Sequence, residues 1–235
     1  MKQVKILTLL LLTFGMLSCN KNDDQATGIG DVLIVAKKSA NNTTVYGLSI
    51  YAYTFSNFQS VKVVSTVDPG KTYSLKSNQD YKTNFYYETP DAEFVTAKPA
   101  ASSFNFSAVF ENGATNEFQD ILSEKVLALP IIEKCAYSNT TKPQVDITWT
   151  PVSGADSYAI NILDGTNLVF GSVELANTTK TYSISSSGGG WATGFTPKSG
   201  NTYTVKLFAF LYEPQGSAYN LQATSVSQTT VVWGD

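Results

Sequence analysis

The sequence predicts an all-β protein: two tandem β-sandwich domains behind a removable N-terminal leader. Three observations carry this. From Asp31 onward apolar residues recur with period two, the spacing that sends alternate side chains to one face of a strand. Turn-forming residues interrupt that pattern about every 8–12 residues, the rhythm of sandwiches. The composition is 43% apolar and 12% aromatic with only 15% charged, the balance of a chain that buries a core, and its many Val, Tyr and Thr suit half-buried strands. Removing residues 1–18 from the 235 leaves 217, room for two sandwiches of about 100 residues each.

The leader comes first. Residues 1–19 read MKQVKILTLLLLTFGMLSC. Lys2 and Lys5 form a positive start, and Ile6 to Leu17 is an apolar run of signal-peptide length, too short to span a bilayer core of ~30 Å. No A-x-A cleavage site follows. Instead Ser18-Cys19 resembles the lipobox cut by lipoprotein signal peptidase, although Met16 and Leu17 depart from its preferred residues. The resemblance implies that residues 1–18 are removed and that Cys19 carries the lipid. Asn20-Lys21-Asn22-Asp23-Asp24 is similar to the export signal of surface lipoproteins of the Bacteroidota, which implies an outer-membrane lipoprotein exposed at the cell surface. One acyl chain holds a protein to a membrane only marginally, so such anchors need two or more. Residues 19–30, rich in Asn, Asp and Gly, then read as a flexible tether.

Residues 31–132 form the first domain. Strands are expected at 31–37, 44–55, 60–67, 71–76, 80–88, 103–111, 116–121 and 125–129, with 117–128 open to a helical alternative. Asn41-Asn42, Asp68-Pro69-Gly70 and Asn112-Gly113 mark the turns, because Gly accepts positive φ and Pro presets φ. No Trp lies in this half, and the domain is Ig-like on pattern alone. Pro130 and Pro143 then bracket a polar stretch, so 133–142 reads as the linker.

Residues 143–235 form the second domain. Val145, Ile147 and Trp149 make one inward row, Tyr158, Ile160 and Ile162 a second, and Tyr203, Val205, Leu207 and Ala209 a third. Three apolar rows with polar residues between them close into two layers. Asp164-Gly165 supplies a hairpin turn rather than a calcium loop. The string DITWTPVSGADSYAINI resembles the B-to-C strand region of fibronectin type III domains, and TYTVKLFA at 202–209 resembles their F strand. The resemblance covers roughly 143–235 and implies that Tyr203 is a tyrosine corner. The corner is longer here by two residues, with Lys198 to Thr202 lying between Phe195-Thr196-Pro197 and Tyr203.

Charge narrows the function. All sixteen basic residues are Lys, and there is no His. Without residues 1–18, fourteen Lys face nineteen acids, a balance of −5. No basic stripe exists to displace counterions from nucleic acid. No imidazole exists for a Ser-His-Asp or Cys-His site or for a His-ligated metal. The expectation is no enzyme, no catalytic residues, no cofactor and no metal. Only Cys19 and Cys135 occur, so a lipidated Cys19 leaves Cys135 without an intramolecular partner, as a buried or linker thiol.

What remains is aromatic. On 44–55 the face opposite Leu48, Ile50 and Ala52 shows Tyr51, Tyr53 and Phe55. On the F-like strand Phe208, Phe210 and Tyr212 face away from the Tyr203 row. Such rows are either buried against the other domain or open as a flat surface for glycan or protein contact. Trp191, on a Gly-rich loop, is a further binding candidate or a core cap. The sequence therefore reads as a non-catalytic, lipid-anchored surface module that binds or scaffolds a glycan or a surface protein. The alternatives are a structural adhesin or pilus-like subunit pairing through edge strands and a carboxylate-dependent glycan hydrolase.

Overall fold

A computed structural model describes residues 26–78, 81–139, 142–214 and 220–234. The leader, Cys19 and residues 19–25 of the expected tether lie outside them. The described chain is all-β apart from one 3₁₀ turn at Asp91–Glu93.

Seven strands build the first unit: β1 (Gly28–Lys38), β2 (Thr44–Thr54), β3 (Phe58–Ser65), β4 (Thr72–Asn78), β5 (Tyr81–Glu88), β6 (Ser102–Phe110) and β7 (Thr115–Leu122). β4 changes layers in mid-course, pairing Leu75 with Val61 of β3 and then Lys76 with Tyr86 of β5. The result is β1-β2-β5-β4 against β3-β6-β7, the A-B-E-D and C-F-G order of an immunoglobulin constant-type sandwich. Alternation put the core where the pattern required it. Val32, Ile34, Ile50 and Ala52 meet Phe58, Val61, Val63, Phe104, Phe106 and Phe110 between the layers. Each of the Val, Ile and Phe side chains contributes roughly 1.5–3 kcal/mol on burial.

The tether ends earlier than its expected boundary at residue 30. Ala26 is already buried, and β1 begins at Gly28. The cause is close packing of rings on bare backbone. A Cβ on Gly28 would sit 2.3 Å from the Phe118 ring, and one on Gly30 would sit 2.6 Å from the Phe106 ring.

The connection between the halves also differs from expectation. The anticipated strand 125–129 has no ladder partner, and no helix forms over 117–128. Residues 123–130 connect the two units without belonging to a strand. Val126 packs on the first core and Leu127 is buried in the second. The Ala128 and Pro130 carbonyls accept hydrogen bonds from the Ser225 and Ser227 hydroxyls at 2.8 and 2.6 Å. The expected linker 133–142 is instead mostly strand β8 (Ile131–Ser138), because Cys135 and Tyr137 pack on the second core.

The second unit adds β9 (Gln144–Thr150), β10 (Ser157–Asp164), β11 (Asn167–Gly171), β12 (Leu175–Ala176), β13 (Thr181–Ser185), β14 (Thr202–Tyr212) and β15 (Leu221–Val232). β13-β9-β8 forms one layer, and β11-β10-β14-β15 the other. Trp149, 1% exposed, lies edge-on to Tyr158 with centroids 5.6 Å apart. The Tyr203 hydroxyl accepts from the Lys198 N–H at 3.0 Å, so the longer corner still closes on its tyrosine.

The two units share a sheet. β1 pairs in parallel with β15 from Ile34↔Ala223 to Lys37↔Val226. Its earlier half faces β7, whose Asn116 and Asp120 side chains accept from Gly28 N–H at 3.0 Å and Val32 N–H at 2.6 Å. β1 thus changes partner near Leu33, from the first unit's own edge to the last strand of the second unit. One continuous sheet of twelve strands results.

Candidate functional site

The joint sheet has a face turned away from both cores, and that face is concave. β1 and β15 supply the floor through Leu33, Val35, Thr224 and Val226. Larger side chains rise beside them: Tyr51 and Tyr53 from β2, Phe208 and Phe210 from β14. The strand order β2-β1-β15-β14 places the two aromatic strands three spacings apart, roughly 14 Å. The volume of this open concavity is about 570 Å³.

Both aromatic pairs are ordered ladders. Phe208 and Phe210 have centroids 6.1 Å apart and planes within 4°. Tyr51 and Tyr53 are also 6.1 Å apart, with planes within 12°. Position i to i+2 on one strand dictates this spacing. The pairs are staggered along the groove. Tyr51 lies opposite Asp31 on β1, whereas Phe210 lies opposite Thr224, which lies opposite Val35. Four residues separate those positions, about 13 Å of strand.

One end of the groove is closed by the connection that follows β5. Phe94 folds onto β2 at Gly47, where a Cβ would meet the Phe94 ring at 2.8 Å, so only glycine permits the approach. Tyr46 and Val95 exchange backbone hydrogen bonds at 2.7 and 3.1 Å beside it. Lys37 reaches over the Phe94 ring, 3.6 Å from its centroid, and pairs with Asp91. That contact holds the Asp91 carboxyl below its usual range through its hydrogen bond to the Lys37 ammonium. Asn161 and Lys206, paired on β10 and β14, line the same end.

The other end is acidic. Asp31 is 3% exposed. Its Oδ2 accepts from Leu221 N–H at 3.3 Å, and its Oδ1 is buried without a partner. Burial, with Asp120 and Glu213 nearby, lifts its proton affinity from the ordinary 3.8 to about 7. Burial also raises Asp120 and Glu213. It raises the Tyr51 hydroxyl too, and carries Tyr53 to about 12. Because the free oxygen of Asp31 is covered, this carboxyl sets the local charge without offering an acceptor to the groove. Among the described residues no group of three or more acid or thiol side chains is placed to hold a metal ion.

The sequence-derived candidates divide cleanly. Tyr51, Tyr53, Phe208 and Phe210 meet on the groove, half-buried except Tyr53 at 37% exposed. Tyr212 sits at its rim beside Phe210 and Leu221, and its hydroxyl donates to Glu174 at 2.6 Å. Phe55, in the same row as Tyr53, is fully exposed beyond the groove. Trp191 belongs elsewhere. It packs on Phe170, Phe195 and Trp233 with centroids 5.0–5.6 Å away, and its Nε1 donates to the Ser185 carbonyl at 2.8 Å. A ring and a polar atom both satisfied by the second core make it a core cap rather than a binding platform. Cys135 is half-buried on β8, and burial alone raises its thiol to about 11, which leaves it protonated and a poor nucleophile. Cys19 lies outside the described residues.

Asp31, Leu33, Val35, Phe94, Asn161 and Lys206 were not singled out from the sequence. One signal was available for the floor. Val32-Leu33-Ile34-Val35-Ala36 is unbroken in apolar character, as strands covered on both faces are.

No family model and no curated protein matches the chain. Solved structures similar to it include a two-domain fibronectin type III segment of chicken tenascin, at 15% identity over 78% of this chain and 91% of that one, with a TM-score of 0.28. The fibronectin(III)-like modules of Clostridium thermocellum CbhA align at 13% identity over 86% and 93%, with a TM-score of 0.25. A segment of a bacterial ice-binding adhesin aligns at 15% over 89% and 66%, with a TM-score of 0.27. The deciding observations are in this chain: β9 and β10 in opposite layers, β14 beside β10, and Tyr203 closing its corner. The second sandwich is fibronectin type III-like. Its β15, the last strand of that fibronectin type III-like unit, is the one that carries the first sandwich.

Proposed function

We propose that the protein is a non-catalytic binding module, held at the outer surface of a bacterial outer membrane by lipid on Cys19, and that the groove across the joint sheet receives its partner. The single observation that carries the groove is convergence. Four aromatic side chains from two sandwiches, none needed by either core, line one open concavity with near-parallel rings. Aromatic side chains combine a large apolar face with little conformational entropy to lose, which suits them to ligand contact. The partner is a glycan or a surface protein. The anchor rests on the lipobox resemblance, and the acidic, Lys-only composition agrees with a role away from nucleic acid.

Two experiments test this reading. The full chain in detergent, applied to a glycan array and used to capture surface proteins, should retain a ligand that Y51A/F208A loses while its circular dichroism is unchanged. Retention of that ligand by the double variant would remove the groove from the function. Labelling of cells with an alkyne fatty acid should mark the wild-type protein and not Cys19→Ser, and equal labelling of both would dispose of the anchor.

A further inference from the structure

The groove holds more information than its existence. Resting on the reading that this groove is the binding site, we infer that its ligand is an uncharged oligosaccharide, long enough to lie across both aromatic pairs at once.

Length follows from the register. The nearest members of the two pairs, Tyr51 and Phe210, are offset by three strands across the sheet and four residues along it. Those two legs give a diagonal of roughly 20 Å between the strand positions. A single sugar ring covers one aromatic pair and leaves the other empty. A chain of several rings can stack on both while crossing a floor of Leu33, Val35, Thr224 and Val226.

Chemical class follows from what surrounds the rings. Sugar rings present C–H faces to aromatic planes and hydroxyls at their edges. The groove pairs its ladders with side chains able to meet such hydroxyls: Asn161 and Lys206 two positions along from Ala159 and Phe208, and Glu88 beside Ser49. A folded protein partner would need a raised apolar anchor to fill a deep pocket, whereas this concavity is long and open at its tyrosine end.

Charge follows from the balance of the lining. Asp91 and Lys37 neutralise each other at one end, Asp31 is covered, and Glu88 is left to balance Lys206, so the lining offers no net positive charge. Lys37 is committed to Asp91 and the Phe94 ring. Glu174 extends the acidic side beyond Phe210 and Tyr212. A uronate or sulfated polymer would meet the Glu88 and Glu174 carboxylates, with Lys206 its one uncommitted cation among the described lining residues. A neutral chain meets no such repulsion.

The test is calorimetry of the full chain in detergent against malto-, cello-, xylo- and manno-oligosaccharides of one to six units, with oligogalacturonate of equal length as the charged probe. One neutral series should bind, with no signal for its monosaccharide and a gain of about tenfold or more from two to six units, the factor that ~1.4 kcal/mol of added stacking yields. Y51A/Y53A and F208A/F210A should each lower hexamer affinity about tenfold while leaving the dimer's affinity less affected. A monosaccharide that binds as tightly as its hexamer overturns the length argument and leaves the groove reading standing. Tighter binding of oligogalacturonate overturns the charge argument. Failure of every saccharide overturns the inference, and if a captured surface protein is lost with Y51A/F208A, the groove still functions with a different class of ligand. A bound saccharide indifferent to all these substitutions would overturn both the inference and the proposed function.

Discussion

Asp31 is the most exposed point of the structure to a quantitative test, although it is among the least exposed residues to solvent. Its carboxyl is 3% accessible, has one weak acceptor contact at 3.3 Å and keeps Oδ1 unpartnered. The proton is therefore held up to about 7 against an ordinary 3.8. The sign is fixed by linkage. Between those two values the folded chain binds a proton that the unfolded chain has released, so stability falls as pH rises from about 4 to about 7 and is level above. A gap of about three pH units, each worth ~1.4 kcal/mol, makes the ionised carboxyl cost about 4 kcal/mol at pH 8. Asp31→Asn removes that charge and keeps an acceptor for Leu221 N–H, but its amide buries an unpaired donor, a loss of about 1–3 kcal/mol. The variant should thus be about 2 kcal/mol more stable than wild type at pH 8. At pH 4, where wild-type Asp31 is neutral, only the amide's loss remains and the variant should be about 1–3 kcal/mol less stable. For a chain of this size the difference at pH 8 is roughly 4–8 °C in Tm. Urea denaturation at half-unit pH intervals would show the two stability curves crossing. Parallel curves, or an Asn variant less stable throughout, would refute the argument that burial governs this carboxyl. Asp120 and Glu213 are raised by the same cause and steepen the wild-type slope in the same direction.

Other substitutions separate the parts of the molecule. Tyr203→Phe leaves the Lys198 N–H without its acceptor and should lower stability by about 1–3 kcal/mol in calorimetry, with ligand binding intact. Gly30→Val drives a side chain into the Phe106 ring and should destabilise by about 1–3 kcal/mol or prevent folding, measured by the same unfolding transition. Trp191→Ala should reduce stability by roughly 3 kcal/mol through lost core packing and leave binding unchanged. Tyr53→Ala, at an exposed position, should do the reverse, shifting stability by less than about 0.5 kcal/mol while weakening binding in the array.

The elements of this fold were legible because each is specified locally. Val145, Ile147 and Trp149 announce a half-buried strand by alternation, and Asn112-Gly113 announces the hairpin between β6 and β7 by turn chemistry. The misplaced elements are those that tertiary contact decides. Residues 125–129 alternate like a strand, yet the alternation serves two cores, Val126 in one and Leu127 in the other, and no neighbouring backbone is there to complete a ladder. Residues 133–138 look like a polar linker because only one face of β8 is covered. Trp191 could be read either way from a Gly-rich loop, and only the nearness of Phe170, Phe195 and Trp233 decides for the core.

The groove illustrates the limit most sharply, since its four aromatic residues were named and its floor and shape were not. Outward aromatics on β2 and β14 follow from period two alone, and 157 residues separate Tyr51 from Phe208 in the chain. What unites them is the parallel register of Ile34 with Ala223, a pairing between the first and last strands that no local pattern encodes. That register requires β1 to be free at one edge beyond Leu33, and β7 frees it by ending its side-chain contacts at Asp120. It also requires β15 to lack a further neighbour of its own, as the last strand of a fibronectin type III-like layer does. Two sandwiches that each expose an edge are thereby joined into one sheet, which removes two edges open to unwanted strand pairing and brings two aromatic ladders into a single site. The joint and the site are consequently one feature: a substitution that parts β1 from β15 must abolish ligand binding even where it touches none of the four rings.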